Sequence, residues 1–173
     1  MQIILCYEAR ASSDSDYNYI KSCIDYLYPN AFRKYKMTKF PLSTKAAYKS
    51  RKVKKEIDGF CSFYNGNNPG ETTYVIYCLD ADIDKTGSAA INPDIVSYCK
   101  QNGYQLVWCN SDVEDVFLGH TVDDKTKVRE SVNFVKQNKI EKVNQVSLCC
   151  STPLTRRHFS NLKLVFDQIL GNL

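Results

Sequence analysis

Acidic residues follow two apolar segments of the sequence at the points where buried strands would end. The segment YVIYCLDADID ends in Asp80, Asp82 and Asp84, and the earlier segment IILCYE ends in Glu8. Side chains two residues apart on a strand point to the same side, so Asp80 and Asp82 would converge if the extended geometry persists between them. Neighbouring strands lie ~4.8 Å apart, so Glu8 would join the same patch if the two strands are neighbours.

Crowded carboxylates of this kind suit a divalent cation. Like charges held close together repel, and a bound cation removes that penalty. Oxygen ligands are those that Mg²⁺ and Mn²⁺ prefer, and such a site can polarise a phosphate and activate water. The alternative is a cluster of loop acids that caps the next helix. The matching position of Glu8 favours the metal site, whereas Asp84 is better interpreted as a loop acid.

The periodicity of apolar residues predicts the elements that would position these side chains. Short, fully apolar runs indicate buried strands at 3–8, 73–79 and 104–109, and the segment RKYKMTKFPL reads as a strand or a loop. Helical spacing indicates helices at about 16–27, 44–64, 93–101, 125–137 and 154–170, with a short one in DVEDVFLGH. Apolar strands alternating with helices predict an α/β fold, a Rossmann-like, mainly parallel sheet with helices on both faces. In such sheets ligands bind beyond the carboxyl ends of the strands.

Composition indicates one globular domain. The chain has 173 residues, of which 43% are hydrophobic and 24% charged. No apolar run approaches the ~20 residues of a membrane span, and the first residues, MQIILCYE, make a poor signal peptide. We therefore expect a cytoplasmic protein without a membrane partner. The eight cysteines lie mostly in apolar runs or predicted helices without zinc spacing, which predicts reduced thiols.

Positive charge is concentrated in one part of the chain. The net charge is +4, and every charged residue from Arg33 to Lys55 is a lysine or an arginine. Such a stripe is typical of contact with phosphates, although a solvated helix face is the simpler alternative. The candidate nucleic-acid-binding residues are Lys45, Lys49, Arg51, Lys52 and Lys55 in the predicted helix 44–64, with Arg156 and Arg157 near the start of the last helix.

The order of these motifs resembles a known family. A strand ending in Glu, a helix, and a later strand ending in Asp-x-Asp resemble the TOPRIM domain of topoisomerases, primases and related nucleases. After the next strand, CNSDVEDVFLGH is similar to the pattern S-N-P-x-F-E-x-W-x-x-x-H of the RloB-like proteins of prokaryotic defence and restriction loci. Asn110, Glu114 and His120 fall on the Asn, Glu and His of that pattern.

The resemblance implies a single TOPRIM/RloB-like domain over residues 1–173, with a core at about 2–120 and a helical C-terminal extension at about 121–173. It implies a metal-dependent phosphodiesterase or nuclease acting on DNA or RNA in a defence system. Glu8 would be a general acid/base or a metal ligand, and Asp80 and Asp82 would hold Mg²⁺ or Mn²⁺. Glu114 and His120 would orient water or the leaving group, with an ion pair and a helix cap as their alternatives.

A second class of function stays open. Ala9 follows Glu8 where the family often has glycine, which favours a non-catalytic module. Such a module would bind nucleic acid or a nucleotide and act with a partner ATPase. A homo-oligomer is also among the expected assemblies.

Overall fold

A five-stranded sheet forms the centre of the computed structural model, which describes residues 1–9 and 13–171. The sheet has the order β2-β1-β3-β4-β5. Its first four strands are parallel, and the last is a short antiparallel addition. The strands are β1 (Gln2–Glu8), β2 (Lys36–Leu42), β3 (Thr73–Asp80), β4 (Gln105–Asn110) and β5 (Phe159–Ser160). The expected α/β class with a mostly parallel, Rossmann-like sheet is confirmed.

Helices cover both faces of the sheet. They are α1 (Ser15–Leu27), α2 (Ala31–Lys34), α3 (Arg51–Asn67), α4 (Thr86–Ala89), α5 (Asn92–Asn102), α6 (Val113–Leu118), α7 (Lys127–Lys136) and α8 (Leu162–Leu170). We call the face of the sheet that packs against α1, α6, α7 and α8 the first face. The second face packs against α3 and α5.

Burial on both faces explains the unbroken apolar runs of the strands. Along β1, Ile3, Leu5 and Tyr7 point to the first face, and Ile4 and Cys6 to the second; all five are fully buried. Side chains alternate between faces along a strand, so a sheet covered on both faces requires apolar residues at every position. This is why the strand positions could be predicted closely.

The predicted helix 44–64 is wrong at its start. A 3₁₀ turn occupies Lys45–Ala47, and the helix begins only at Arg51. Ser50 fixes the start of the helix, because its side chain accepts a hydrogen bond from the Val53 backbone N–H and caps the helix.

The predicted helix 154–170 is wrong in its first half. A 3₁₀ turn at Pro153–Thr155 and the strand β5 come first, and α8 begins at Leu162. Asn161 explains the difference, since its side chain pairs with the open edge of β4. Its Oδ1 accepts from the Trp108 backbone at 2.8 Å, and its Nδ2 donates to the Leu106 carbonyl at 2.9 Å.

Residues beyond 120 belong to the same hydrophobic core as the strands. Phe134, Ile140, Leu148, Leu162 and Phe166 are buried on the first face beside β1 and β4.

All eight cysteines are free, as predicted. Within the described residues, no helix has both the length and the apolar character needed to cross a membrane.

Candidate functional site

The Lys45 side chain lies beneath the carboxyl edge of the sheet, on its second face. Glu8 is in register with Leu42, whose side chain packs on that face, and Glu8 Oε2 accepts from the Lys45 backbone N–H at 3.0 Å. The Lys45 ammonium donates to the Asp80 carbonyl at 2.8 Å and to Asp82 Oδ2 at 3.1 Å. Lys45 is only 3% exposed. It was expected in a surface stripe; the structure instead makes it an internal cation that joins the ends of β1 and β3.

Asp82 turns away from the direction that an extended strand would give it. β3 ends at Asp80, and Asp82 has a left-handed backbone with φ 49°. Both of its carboxylate oxygens are engaged, since Lys85 donates to Oδ1 at 2.7 Å and Ser88 donates to Oδ2 at 2.6 Å. Burial raises the pKa of Asp82, but these hydrogen bonds and the Lys45 ammonium outweigh it, so the pKa is lowered. The extended geometry that would align Asp80 with Asp82 does not persist.

Asp80 points to the first face of the sheet. It is in register with Cys109, which is buried on that face, and its Oδ1 accepts from the Val113 backbone at 2.9 Å. Burial, followed by the negative charges of Asp16 and Glu8, raises the pKa of Asp80 well above its usual range. The Asp80 carboxyl therefore holds its proton more tightly than an exposed aspartate does.

Glu114 and Lys127 form a second charge pair, partly buried, beside Asp80. Glu114 is fully buried, and its Oε2 accepts from the Lys127 ammonium at 3.0 Å. Burial raises the pKa of Glu114, although Lys127 acts in the opposite direction. Asp16, in the first turn of α1, belongs to the same cluster, and burial together with the Glu114 charge raises its pKa to about 7. We call Asp16, Asp80 and Glu114 the first-face acids.

An open cleft of about 480 Å³ lies where the charged group around Lys45 and Asp82 meets the first-face acids. Its charged lining includes Glu8, Asp16, Asp80, Asp82, Lys85 and Lys127. The cleft is at the carboxyl ends of β1 and β3, which is where parallel sheets bind their ligands. Glu8, Asp80 and Asp82 all line this cleft, but Glu8 and Asp80 leave the sheet on opposite faces and Asp82 lies beyond the end of β3, so the three do not form one patch as an extended strand would give.

The oxygen chemistry of the cleft fits a divalent cation in part. Glu8 Oε1 and Glu114 Oε1 are buried and have no hydrogen-bond partner among the described residues. Both Asp82 oxygens, by contrast, are already bound by ammonium groups. In the described ranges, 1–9 and 13–171, no three His, Cys, Asp or Glu side chains form a group that could hold one metal ion. Among the described residues, the carboxylates with a buried oxygen that lacks a partner include Glu8, which lines the cleft, and Glu114, which lies outside its lining.

No family model, curated protein or solved structure matches this chain. The function is therefore inferred from the site itself.

His120 lies outside the cleft. It is exposed, and its Nδ1 lies 3.2 Å from the Leu118 carbonyl oxygen. α6 ends at Gly119, whose φ of 77° is the left-handed conformation usual after a helix. Of the two residues paired by the sequence pattern, the structure brings Glu114 to the acid cluster and leaves His120 at the end of α6.

The remaining basic candidates are on the surface. Lys49, Arg51, Lys52 and Lys55 are exposed in the segment that leads into α3 and in its first turns. Arg156 and Arg157 are exposed as well. The Arg156 guanidinium lies 5.6 Å from the Phe159 ring centroid, and Arg157 lies 3.7 Å from Asp84. Surface charges in these positions are accessible to a polyanion.

Three charged residues of the cleft had no functional role in the sequence-based site. Asp16 lies at the start of the predicted helix 16–27, and Lys85 and Lys127 carry no site prediction. Local sequence carries little signal for them, because an acid in the first turn of a helix is common for electrostatic reasons alone. The packing of α1 and α7 together beside α6 brings Asp16 and Lys127 to the cleft. Lys85 lies between β3 and α4 and is held there by Asp82.

Proposed function

We propose that this chain is a metal-dependent phosphodiesterase, a nuclease of the TOPRIM type, that acts on nucleic acid. The observation that supports this best is the group of first-face acids beside the cleft. Three carboxyls with raised pKa share one partly buried lysine, and Glu114 keeps an oxygen without a partner among the described residues. Such an excess of buried carboxylates is costly unless it performs a task.

The cleft residues divide the work of phosphodiester hydrolysis. Asp16, with a pKa of about 7, can take up or release a proton near neutral pH, as an acid/base group must. Lys85 and Lys127 line the cleft and would bind the non-bridging oxygens of a phosphate. Glu8 and Asp80 line the cleft and would hold Mg²⁺ or Mn²⁺ together with oxygens of the substrate phosphate. The bound ion would supply polarisation of the phosphate and a lowered pKa for water.

The biological setting in this proposal comes from the resemblance of CNSDVEDVFLGH to the RloB-like pattern. That resemblance favours a cytoplasmic role in prokaryotic defence, with a partner ATPase as one component. The exposed lysines and arginines at the start of α3 support a polyanionic substrate rather than a neutral one.

Cleavage of labelled single- and double-stranded DNA and RNA tests the enzyme proposal. Each substrate is incubated with the parent protein in Mn²⁺, Mg²⁺ or chelator. We expect cleavage only with metal, loss of cleavage in Asp80→Asn, and full cleavage in Asp25→Asn. Asp25 is a suitable control because its carboxylate is exposed and pairs with Lys21 on the surface of α1. Metal-independent cleavage, or full activity of Asp80→Asn, would contradict the proposal.

A non-catalytic binding module is the second candidate, and the lysines that pair with the acids favour it. Lys45 and Lys85 neutralise Asp82, and Lys127 neutralises Glu114, without any metal. A site compensated in this way can bind a nucleotide or nucleic acid through its lysines alone. This candidate predicts that oligonucleotides bind equally well in chelator and in Mn²⁺ and are not cleaved in either.

A further inference from the structure

A second cavity, of about 430 Å³, adjoins the cleft between β2 and α3. Ala9, Ser13 and Ser43 line both cavities, so the two form one continuous trough. We call the part between β2 and α3 the β2–α3 groove. It leads away from the acids of the cleft along the edge of the sheet that β2 forms.

The lining of the β2–α3 groove changes from acidic to apolar and basic. Its apolar side chains include Phe40, Pro41 and Val53, and Lys52 supplies a positive charge. Two acids also line it. Asp14 forms an ion pair with Lys39, and Glu56 lies 4.0 Å from Lys52.

Positive charge continues on the surface around the groove. Lys49, Arg51 and Lys55 are exposed nearby, at and before the start of α3. Since each acid in the groove is matched by a lysine, Lys49, Arg51 and Lys55 leave an excess of positive charge around its mouth. The groove therefore offers an apolar surface for a base beside a positive charge for a phosphate, the combination that binds single strands without sequence preference.

We infer that the β2–α3 groove is the subsite for the nucleotide next to the reacting phosphate of a single-stranded nucleic acid. The inference rests on the proposed function in one respect, because it places the reacting phosphate in the cleft. A volume of 430 Å³ is in the range of small-ligand pockets and admits one nucleotide unit, and a base must be unpaired and unstacked to lie against the apolar side chains there. The preferred ligand is thus an oligonucleotide of two or more units rather than a mononucleotide.

Binding in chelator tests this inference independently of cleavage. Fluorescein-labelled dT8 and U8 are titrated with protein at low salt, and unlabelled thymidine mononucleotide and dithymidine phosphate serve as competitors. Ser43→Trp fills the junction of the two cavities, and Ser97→Trp is its control on an exposed turn of α5. Lys52→Glu reverses the charge in the groove. Lys100→Glu is its control, in the last turn of α5, which lies at the opposite edge of the sheet from the cleft.

We expect the dinucleotide to compete at least tenfold better than the mononucleotide, and Ser43→Trp to abolish that difference. Ser43→Trp and Lys52→Glu should each weaken dT8 or U8 binding by about tenfold, and the two controls by less than threefold. Two positions in different elements are tested so that misfolding of one variant, seen by circular dichroism, leaves the other decisive. Parent-like binding by Ser43→Trp, or duplex binding as tight as single-strand binding, would overturn the inference.

The same titration separates this inference from the proposed enzyme. Binding that depends on Ser43 and Lys52, without cleavage in Mn²⁺, supports the groove and contradicts the nuclease. Cleavage in Mn²⁺ with unchanged binding and rate in both groove variants supports the nuclease and overturns the groove.

Discussion

The Lys45 ammonium donates a hydrogen bond to Asp82 Oδ2 at 3.1 Å, and both side chains are largely shielded from water. The same lysine is held through its backbone N–H by Glu8. One residue from the connection between β2 and α3 therefore fixes the ends of β1 and β3, the two strands that deliver the acids of the cleft.

Replacing Lys45 by methionine should destabilise the fold by about 3 kcal/mol. The substitution keeps most of the volume but leaves Asp82 and the Asp80 carbonyl without their buried donor, and breaking a buried pair typically costs about 3–5 kcal/mol. Lys85→Met removes the other ammonium of Asp82. It should cost less than about 1 kcal/mol, since the Lys85 side chain is 67% exposed. Urea denaturation measures the free energy of unfolding of both variants. An equal loss of unfolding free energy in the two would show that Lys45 behaves as a surface charge.

Asp16 should make the protein less stable as the pH rises. Its pKa is raised from 3.8 to about 7 in the fold, so the folded state binds a proton more tightly than the unfolded chain. The stabilising contribution of that proton is complete below about pH 4 and is lost as the pH rises to about 7. Asp16→Asn should remove this part of the decline when unfolding free energy is measured from pH 4 to 8. An unchanged pH profile in Asp16→Asn would contradict the assignment.

Asp80→Asn should keep the fold and lose the response to metal. The amide oxygen can still accept the hydrogen bond from the Val113 backbone, while one charge is removed from a crowded group of acids. In chelator at pH 8 the melting temperature should therefore hold or rise. Mn²⁺ should raise the melting temperature of the parent but not that of Asp80→Asn. Melting well below the parent in chelator would show instead that the carboxylate is a structural cap for α6.

Reversing three lysines of the basic stripe should flatten the salt dependence of nucleic-acid binding. Single-stranded binding falls with salt by a log–log slope of about −0.7 for each neutralised phosphate. Changing Lys49, Lys52 and Lys55 together to Glu should therefore reduce the slope by up to about 2 and weaken binding to every sequence alike. The fold should survive, because all three side chains are exposed.

A matched triple reversal elsewhere separates local contact from net charge. Lys100, Lys136 and Lys142 are exposed and lie outside the stripe. Their change to Glu gives the same net charge and should leave the slope close to that of the parent. Equal slopes in both triple variants would assign the salt dependence to overall charge, and the stripe would then be a solvated surface.

The sequence predicted the parts of this structure that depend on burial along a single element. The first six positions of β1 are buried and only Glu8 at its end is partly exposed, so the place of Glu8 at the carboxyl edge follows from the apolar run before it. The conformation of Asp82 could not be predicted from the sequence. Its φ of 49° occurs together with hydrogen bonds from Lys45, Lys85 and Ser88, which lie outside β3.

The position of Lys45 was missed for a similar reason. A lysine in a basic segment is normally solvated, and only the carbonyl of Asp80 and the carboxylate of Asp82, both from another strand, make its burial favourable. The strand β5 was not predicted, because a strand of two residues is too short to show a periodic pattern of apolar side chains. Its partner β4 and the Asn161 side chain define it.

The pairing of β5 and Asn161 with β4 has a consequence for the handling of the protein. Asn161 satisfies the Leu106 carbonyl and the Trp108 N–H on the outer side of that strand, and β5 pairs with its last residues, Cys109 and Asn110. An open strand of this kind is a template for the addition of a strand from another molecule. A chain cut after Cys149 would expose it, along with the core that α8 covers. The final segment thus protects the protein from intermolecular sheet growth, and shortened forms should aggregate even where the cleft is intact.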